Sequence, residues 1–313
     1  MTRFILGRLA AMAAILVGVS LVAFLLMRAI PGDFAIAAAG AQNVGPEVLA
    51  TIRRDLGLDQ PLAAQYLAWL GHALTGDLGT SFVTRQPVLG EVLDRLAVTF
   101  ELTLIAAVMA AVLGLATGLA AARLGGLADW LLRLVNGFVL AVPNYVVATL
   151  IVLLFGLYLP EVTIFGYTPF LEDPLANLAS LILPALALAL GVSVTIAENT
   201  RAAVLEVAAQ DFVMVARAKG LKPRTILGHY LLRNALTPVI TATGLKIAAL
   251  LGGSILVETI FAIPGMGQYL FDSITSRDYP VIQAIVLVAA GIVVLVNTII
   301  DIAYAQVDAR VQM

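Results

Sequence analysis

The stretch LTLIAAVMAAVLGLATGLAAA, Leu102–Ala122, decides the reading of this chain, because it holds no charged side chain over 21 residues. A helix rises about 1.5 Å per residue, so about 20 apolar residues cross a hydrocarbon core about 30 Å thick. Runs 9–27, 134–159, 174–197 and 279–300 are also charge-free, and run 234–257 is interrupted only by Lys246. Lipid offers no partners to backbone N–H and C=O groups, so each run is expected to be helical. The sequence therefore predicts an all-α, polytopic membrane protein with six transmembrane helices.

Composition agrees. Of 313 residues, 61% are hydrophobic and 12% are charged, where soluble domains carry roughly 25% charge. The mean hydropathy is +1.01. These values exclude a disordered chain, a nucleic-acid-binding domain and an ordinary soluble enzyme. The net charge of −2 says nothing specific about partners. The absence of cysteine excludes disulfides, thiolate metal sites and cysteine nucleophiles. His72 and His229 are the only imidazoles and lie far apart, which argues against a histidine metal site. The first run resembles a secretory signal in being preceded by Arg3 and Arg8 and followed by Ala37, Ala38 and Ala39. Its 19 residues exceed the roughly 7–15 of a signal core, which favours a retained helix.

Basic residues set the orientation. With the N-terminus inside, segments 1–8, 123–133, 198–233 and 301–313 hold eleven Lys and Arg, while the short outer segments 160–173 and 258–278 hold one. Both termini are thus expected in the cytoplasm. Three parts follow: 1–30, an N-terminal tail and first transmembrane helix; 31–101, an extracytoplasmic helical cap; and 102–313, a five-helix core with a cytoplasmic loop, 198–233.

In the cap, Pro46 opens one helical pattern with Val48, Leu49, Ile52 and Leu56 on a face and Gly57 as its C-cap. Pro61 opens a second, with Leu62, Tyr66, Trp69, Leu70 and Leu74 on one stripe. An apolar face of this kind suits either the membrane surface or an external partner. The loop 198–233 carries six of the 18 basic residues. Phe212, Val215 and Ala216 are expected to share a helical face, with Lys219 in the last turn, Gly220 in a left-handed cap and Pro223 preventing continuation. A second amphipathic segment follows, with Leu227, Tyr230, Leu231 and Asn234 at helical spacing. From the pattern alone, the loop is either a basic linker held by anionic headgroups or a docking element.

The segment ARAKGLKPRTILGHYLLRNALTP, Ala216–Pro238, resembles the cytoplasmic EAA loop of ABC-transporter permeases, and is most similar to the B-type subunit of dipeptide, oligopeptide and nickel importers. The resemblance extends over nearly the whole chain. Phe4–Asp33, Leu56–Phe82, ETIFAIPGMG (Glu258–Gly267), RDYPVIQ (Arg277–Gln283) and Asn297–Val311 match in the same order. The loop departs from the general EAA pattern: Met214 stands at the Glu position, Val215 at the first Ala, and Arg233 where Pro is expected. That puts in doubt a role needing the Glu carboxylate, but not docking.

The resemblance implies a type I ABC importer permease fold in a bacterial plasma (inner) membrane. It further implies a second, C-type permease subunit, two ABC ATPase subunits and an extracytoplasmic substrate-binding protein, with no nucleic acid. No cofactor is expected on this chain; ATP and Mg belong to the ATPases. The sequence agrees in one respect, since a P-loop needs a Gly-Lys pair and none occurs here. The resemblance implies that an ATPase grips a helix near 211–220, through Asp211, Phe212, Val215, Ala216, Arg217, Lys219 and Gly220, with Phe212 and Val215 as apolar knobs. Arg217 and Lys219 also fit plain topology, positive charge belonging inside.

Candidates for the translocation path are Asn144, Lys246, Ser254 and Glu258. Lys246 sits near mid-depth, where a charge costs about 2.5–3.5 kcal/mol on insertion scales and should face the bundle or water. Glu198 and Glu258 are candidate partners. Asn144 follows Pro143, which fits a kink as well as a solute contact. Gly252, Gly253 and Ser254 suit close helix approach. Glu258 is read as opening an outer loop in which Pro264-Gly265 fits a type II turn, and Asp278 as a cap of the last helix. The alternatives are a secondary transporter driven by an ion gradient and a membrane scaffold without transport. Only Lys246 lies at mid-depth, and no convincing inverted repeat is present.

Overall fold

The computed structural model describes residues 2–29, 34–39, 45–159, 161–236, 239, 250 and 252–307. The described residues are helical apart from turns and one isolated bridge between Thr80 and Pro87. The helices are α1 (Thr2–Ala29), α2 (Phe34–Ala39), α3 (Pro46–Asp55), α4 (Leu62–Leu74), α5 (Val88–Leu124), α6 (Gly126–Ala141), α7 (Asn144–Tyr158) and α8 (Pro174–Ala208). After them come α9 (Asp211–Ala218), α10 (Pro223–Thr225), a π-helical segment π1 (Ile226–Leu232), α11 (Ile255–Phe261), α12 (Met266–Ser276) and α13 (Tyr279–Val307).

Four stretches are long and apolar enough to cross a membrane as single helices: Gly7–Ala29, Val88–Leu124, Pro174–Ala208 and Tyr279–Thr298. The third sequence run, 134–159, is not one helix. It divides into α6 and α7, bent by 97°. The cause is local. Pro143 has no N–H, and its ring drives the preceding residue out of the α region, so Val142 sits at φ −97°, ψ 119°. Most of run 234–257, including Lys246, lies outside the described residues.

The chain forms two compact units, residues 1–99 with 264–313, and residues 100–263. In the first unit, α1 packs along α13, and a core forms from Leu78, Val88, Val92, Met266, Tyr269, Val281, Ala284 and Ile285. Phe24 of α1 meets Tyr66 and Trp69 of α4 at ring-centroid distances of 5.5 and 6.2 Å. Only part of the expected α4 stripe is covered: Leu62 is exposed and Leu74 is 80% exposed. Asp278 is the buried anchor of the connection before α5. It accepts from Ser81 Oγ at 2.5 Å, Phe82 N at 3.0 Å and Val83 N at 3.3 Å.

In the second unit α8 is the central helix, with 56% of its most apolar window buried inside the protein, against 17% for α1. It packs on α6, α7, α9, π1 and α11. Asp173 caps its start by accepting from Leu175 N and Ala176 N at 2.9 and 3.1 Å, with Pro174 in the first turn. Close approach to α5 is permitted by Gly114 and Gly118, four residues apart on one face. A Cβ at Gly114 would lie 2.6 Å from Ile196 Cβ and from Ser193 O.

Candidate coupling site

The site begins where α8 ends. At 35 residues α8 is about 52 Å long, far more than its apolar run requires. Its last turns carry the chain beyond that run, and the backbone breaks at Gln210, φ −73°, ψ 146°, before α9. Two residues fix α9 from beneath: Val213 and Ala216 are buried with Ile226 and Leu231, and Val207, Ala208, Leu221, Leu227 and Tyr230 pack around them.

The rest of α9 faces outward. Phe212 is 42% and Val215 52% exposed, and Asp211, Met214, Arg217, Lys219 and Gly220 are exposed too. The expected face is therefore corrected in one respect: Ala216 does not share it with Phe212 and Val215, but lies on the anchored side three residues from Val213. Phe212 stacks on Tyr230 of π1, with centroids 6.4 Å apart and planes 27° apart. His229 meets the edge of Tyr230 at 5.7 Å. Phe212, Met214 and Val215 are thus exposed apolar side chains of α9, with Phe212 on Tyr230, and the exposed cations Arg217, Lys219, Lys222 and Arg224 follow them in the sequence. The sequence marks Met214 only as a departure from the EAA pattern.

Helix α9 ends in a Schellman motif. Leu221 N donates to Ala216 O at 3.3 Å and Gly220 N to Arg217 O at 2.9 Å, with Gly220 at φ +71°. Nothing lies within 4 Å of where a Gly220 Cβ would be, so glycine is required there by conformation and not by space. Pro223 does more than stop the preceding helix: it occupies the first turn of α10. The π register of the next segment replaces the expected stripe. Hydrogen bonds between residues five apart bring Ile226 and Leu231 to one buried face, while Asn234 is exposed and donates to Tyr230 O at 2.6 Å.

A bidentate ion pair ties the base of this region together. Arg201 Nε and Nη2 each lie 2.6 Å from the Asp129 carboxylate at the start of α6. Asn136 of α6 donates to Glu198 at 3.2 Å. Glu198 is therefore engaged by an amide, a contact that spacing in the sequence does not announce.

Three of the translocation-path candidates fall in one neighbourhood. Asn144, first residue of α7, donates from Nδ2 to Gly253 O at 3.5 Å. Ser254 precedes α11 and is buried; Glu258 is one turn along α11 and fully buried. Glu258 does not open a loop, as its spacing suggested. The helix continues to Phe261 and ends with Ala262 in the left-handed region, φ 54°, where Ile263 N donates to Glu258 O at 2.9 Å. Nor do Pro264-Gly265 form a type II turn, because Gly265 is extended at φ −92°, ψ −179° and caps α12. Asp278 stands just before the last helix, where its main-chain carbonyl accepts from Ile282 N at 3.1 Å, but its carboxylate accepts from the connection at 81–83 and not from the first turn of that helix. Nearby, outside the apolar helices, Tyr167 donates to Glu101 at 2.8 Å, and burial and then this carboxylate push the phenol up to about 12. Among the described residues no group of three or more His, Cys, Asp or Glu is placed to hold a metal ion.

The fold matches that of a solved amino acid ABC transporter with histidines, at a TM-score of 0.52 and 17% identity, over 69% of this chain and 94% of that one. That likeness concerns the fold of the helices alone. The chain belongs to the family of binding-protein-dependent transport system inner membrane components: the family model matches residues 110–313, and the model of the family's N-terminal region matches residues 1–103. Similar over full length are the di/tripeptide transport system permease protein DppB of Pseudomonas aeruginosa, 37% identical over 333 residues, covering 100% of this chain and 99% of the relative, and the glutathione transport system permease protein GsiC of Salmonella paratyphi A, 37% identical over 317 residues with the same coverage. The protein is a multi-pass transport permease of an ABC importer.

Proposed function

We propose that this chain forms half of the membrane pore of an importer for short peptides or similar small solutes. A second permease subunit of the C type completes the pore, two ABC ATPases holding ATP and Mg drive it, and an extracytoplasmic binding protein delivers cargo. On this reading it spans a bacterial inner membrane six times with both termini in the cytoplasm. The bent α6–α7 pair and the run 234–257 would then supply the two spans that are not single described helices.

The single observation that carries the coupling reading is the two-sidedness of α9. A helix of eight residues cannot hold itself together in water, yet α9 is fixed by Val213 and Ala216 at the end of the longest-buried helix and offers Phe212, Met214 and Val215 outward. A lever needs a rigid attachment and a free grip, and α9 has both. An ATPase that closes on α9 would displace α8, and the helices packed on α8 would move with it. This is a two-state element biased by a partner, which is what allosteric coupling requires. Short-peptide cargo is carried over from the two permeases similar over full length.

The test is co-purification of the ATPases with the complete complex. Val215→Asp should abolish it, while Val162→Asp, an exposed apolar position elsewhere, should leave it intact. Retained ATPases and unchanged ATP-driven uptake with Val215→Asp would reject α9 as the grip. Uptake by the chain alone under an ion gradient would instead support a secondary transporter.

A further inference from the structure

The first unit contains a cavity of about 890 Å³ that the coupling mechanism does not use. Its walls come from the end of α1, from α2, α3 and α4, from residues 77–85 and from the start of α13. Small-molecule sites commonly enclose roughly 300–1,000 Å³ and combine apolar walls with a few converging polar groups. This cavity has both. The apolar face of α3, with Val48, Ile52 and Leu56, turns into it, and none of the residues of that helix is buried in a core.

Three polar side chains in its wall hold buried atoms without hydrogen-bond partners among the described residues: Arg28 Nε and Nη1, Gln65 Oε1 and Gln283 Nε2. Gln283 is only 5% exposed. Arg28 is held without spending these donors. Its guanidinium carbon lies 4.2 Å from the Phe34 ring centroid and 5.0 Å from that of Phe24, and Phe34 is itself stacked on Tyr279 at 4.7 Å. Ring faces stabilise the cation through their quadrupoles and leave N–H groups in its plane available. The orientation of the Gln65 amide is fixed, since Nε2 donates to Gln60 O at 2.8 Å and Leu58 O at 3.2 Å. Its oxygen must therefore be the acceptor left over.

Buried polar groups in folded proteins are almost always satisfied, and an exception needs a cause. We propose that the cause here is a ligand: the cavity binds a short, zwitterionic solute with a free carboxylate and at least one peptide-like amide. The carboxylate meets Arg28, the amide carbonyl accepts from Gln283 Nε2, and an amide N–H donates to Gln65 Oε1. Asp55 and Asp77 line the cavity together with Arg28 and Arg85, a balanced set of charges that suits a zwitterion better than a phosphate or other polyanion, although Asp77 also accepts from Gly79 N at 2.9 Å and faces His72 at 3.3 Å. The site lies wholly in the first unit, whereas the coupling helix belongs to the second, so its ligand can be tested without any ATPase. The substrate class it implies extends the proposed short-peptide import, and failure of ATPase docking would leave it standing.

Trp69 lines the cavity and Trp130 is the only other tryptophan. Trp130→Phe in the full chain, in lipid nanodiscs, therefore gives a single reporter. Titration with trialanine should change Trp69 emission saturably. Trialanine amide, which lacks the carboxylate, should bind at least ten-fold more weakly to the same unmutated pocket. Arg28→Gln should abolish the distinction between acid and amide, and Gln283→Leu should weaken both about ten-fold. Equal binding of acid and amide would overturn the proposal, as would no saturable response. So would native mass spectrometry showing an anionic phospholipid that is retained by Arg28, lost in Arg28→Gln and not displaced by trialanine.

Discussion

Replacing Gly118 by Ala adds one methyl group to α5 where it faces α8. On the existing backbone the new Cβ would stand 2.8 Å from Thr200 Cβ and 2.9 Å from Ala197 Cα, and closer still to Ala197 O. Ordinary contact begins at 3.4 Å. Two of the three atoms are backbone, so no rotamer change relieves the overlap, and the helices must separate by roughly half an ångström to an ångström at this level. Overpacking of this kind costs about 1–3 kcal/mol, and the backbone contacts place it near the upper end. Alanine recovers about 1 kcal/mol in helix propensity. The net expectation is a loss of about 2 kcal/mol, or about 30-fold in the ratio of folded to unfolded protein at 1.4 kcal/mol per tenfold. Reversible unfolding by SDS titration in mixed micelles measures it. Gly191→Ala in α8 is the control, with nothing within 4 Å of its Cβ, and should be neutral or stabilised. If Gly118→Ala proves no less stable than Gly191→Ala, the close approach of α5 and α8 is wrong. Because α8 ends at the proposed coupling site, the same variant should also lower uptake in the assembled importer.

Gly220→Val places a β-branched residue at φ +71° and should destabilise the end of α9 by about 1–2 kcal/mol or more; Gly220→Asn should be milder, and co-purification of the ATPases should follow the same order. Asp278→Ala removes the acceptor of the buried Ser81 Oγ and the half-buried Phe82 N, at about 1–3 kcal/mol each at most, while Val83 N keeps Ser81 Oγ at 3.1 Å. It should lower the melting temperature and open the chain to trypsin at Arg85, and an unchanged digestion pattern would count against the anchor. Tyr167, raised from 10.0 to about 12 by burial and by Glu101, keeps its proton more tightly folded than unfolded. Its contribution to stability is thus complete below pH 10 and is lost as pH rises from 10 to about 12. The difference in alkaline ultraviolet titration between wild type and Tyr167→Phe should show the raised midpoint, and Glu101→Gln should lower it. Charge reversal at the α6–α8 pair, Asp129→Arg, should impair assembly, and the double variant with Arg201→Asp should recover it; no recovery would show that the pairing geometry, not charge alone, is needed.

Composition and periodicity were enough to point to lipid as the solvent and to helices as the elements. A charge-free run such as 102–122 must be helical in lipid because the backbone has nowhere else to bond, and α5 contains it whole. Local punctuation was legible: Pro46 and Pro61 at the starts of α3 and α4, and Gly57 and Gly220 in the left-handed conformation after α3 and α9. These signals are local, each needing only a few adjacent residues. Spacing put Phe212 and Val215 on one helical face, and both are exposed on α9, whereas Ala216, placed with them, is buried because spacing alone does not tell which side of a short helix is covered.

Only the tertiary structure decided the rest. It turned run 134–159 into two helices at 97°, buried Glu258 inside α11, joined Asp129 to Arg201 across 72 residues and made Gly114 and Gly118 a helix contact. It also gathered Arg28, Gln65 and Gln283 around one cavity. Each of these depends on which distant element lies opposite a residue. A hydropathy run fixes what a segment needs from its surroundings, whereas the partner that meets the need is chosen by packing among all the helices at once.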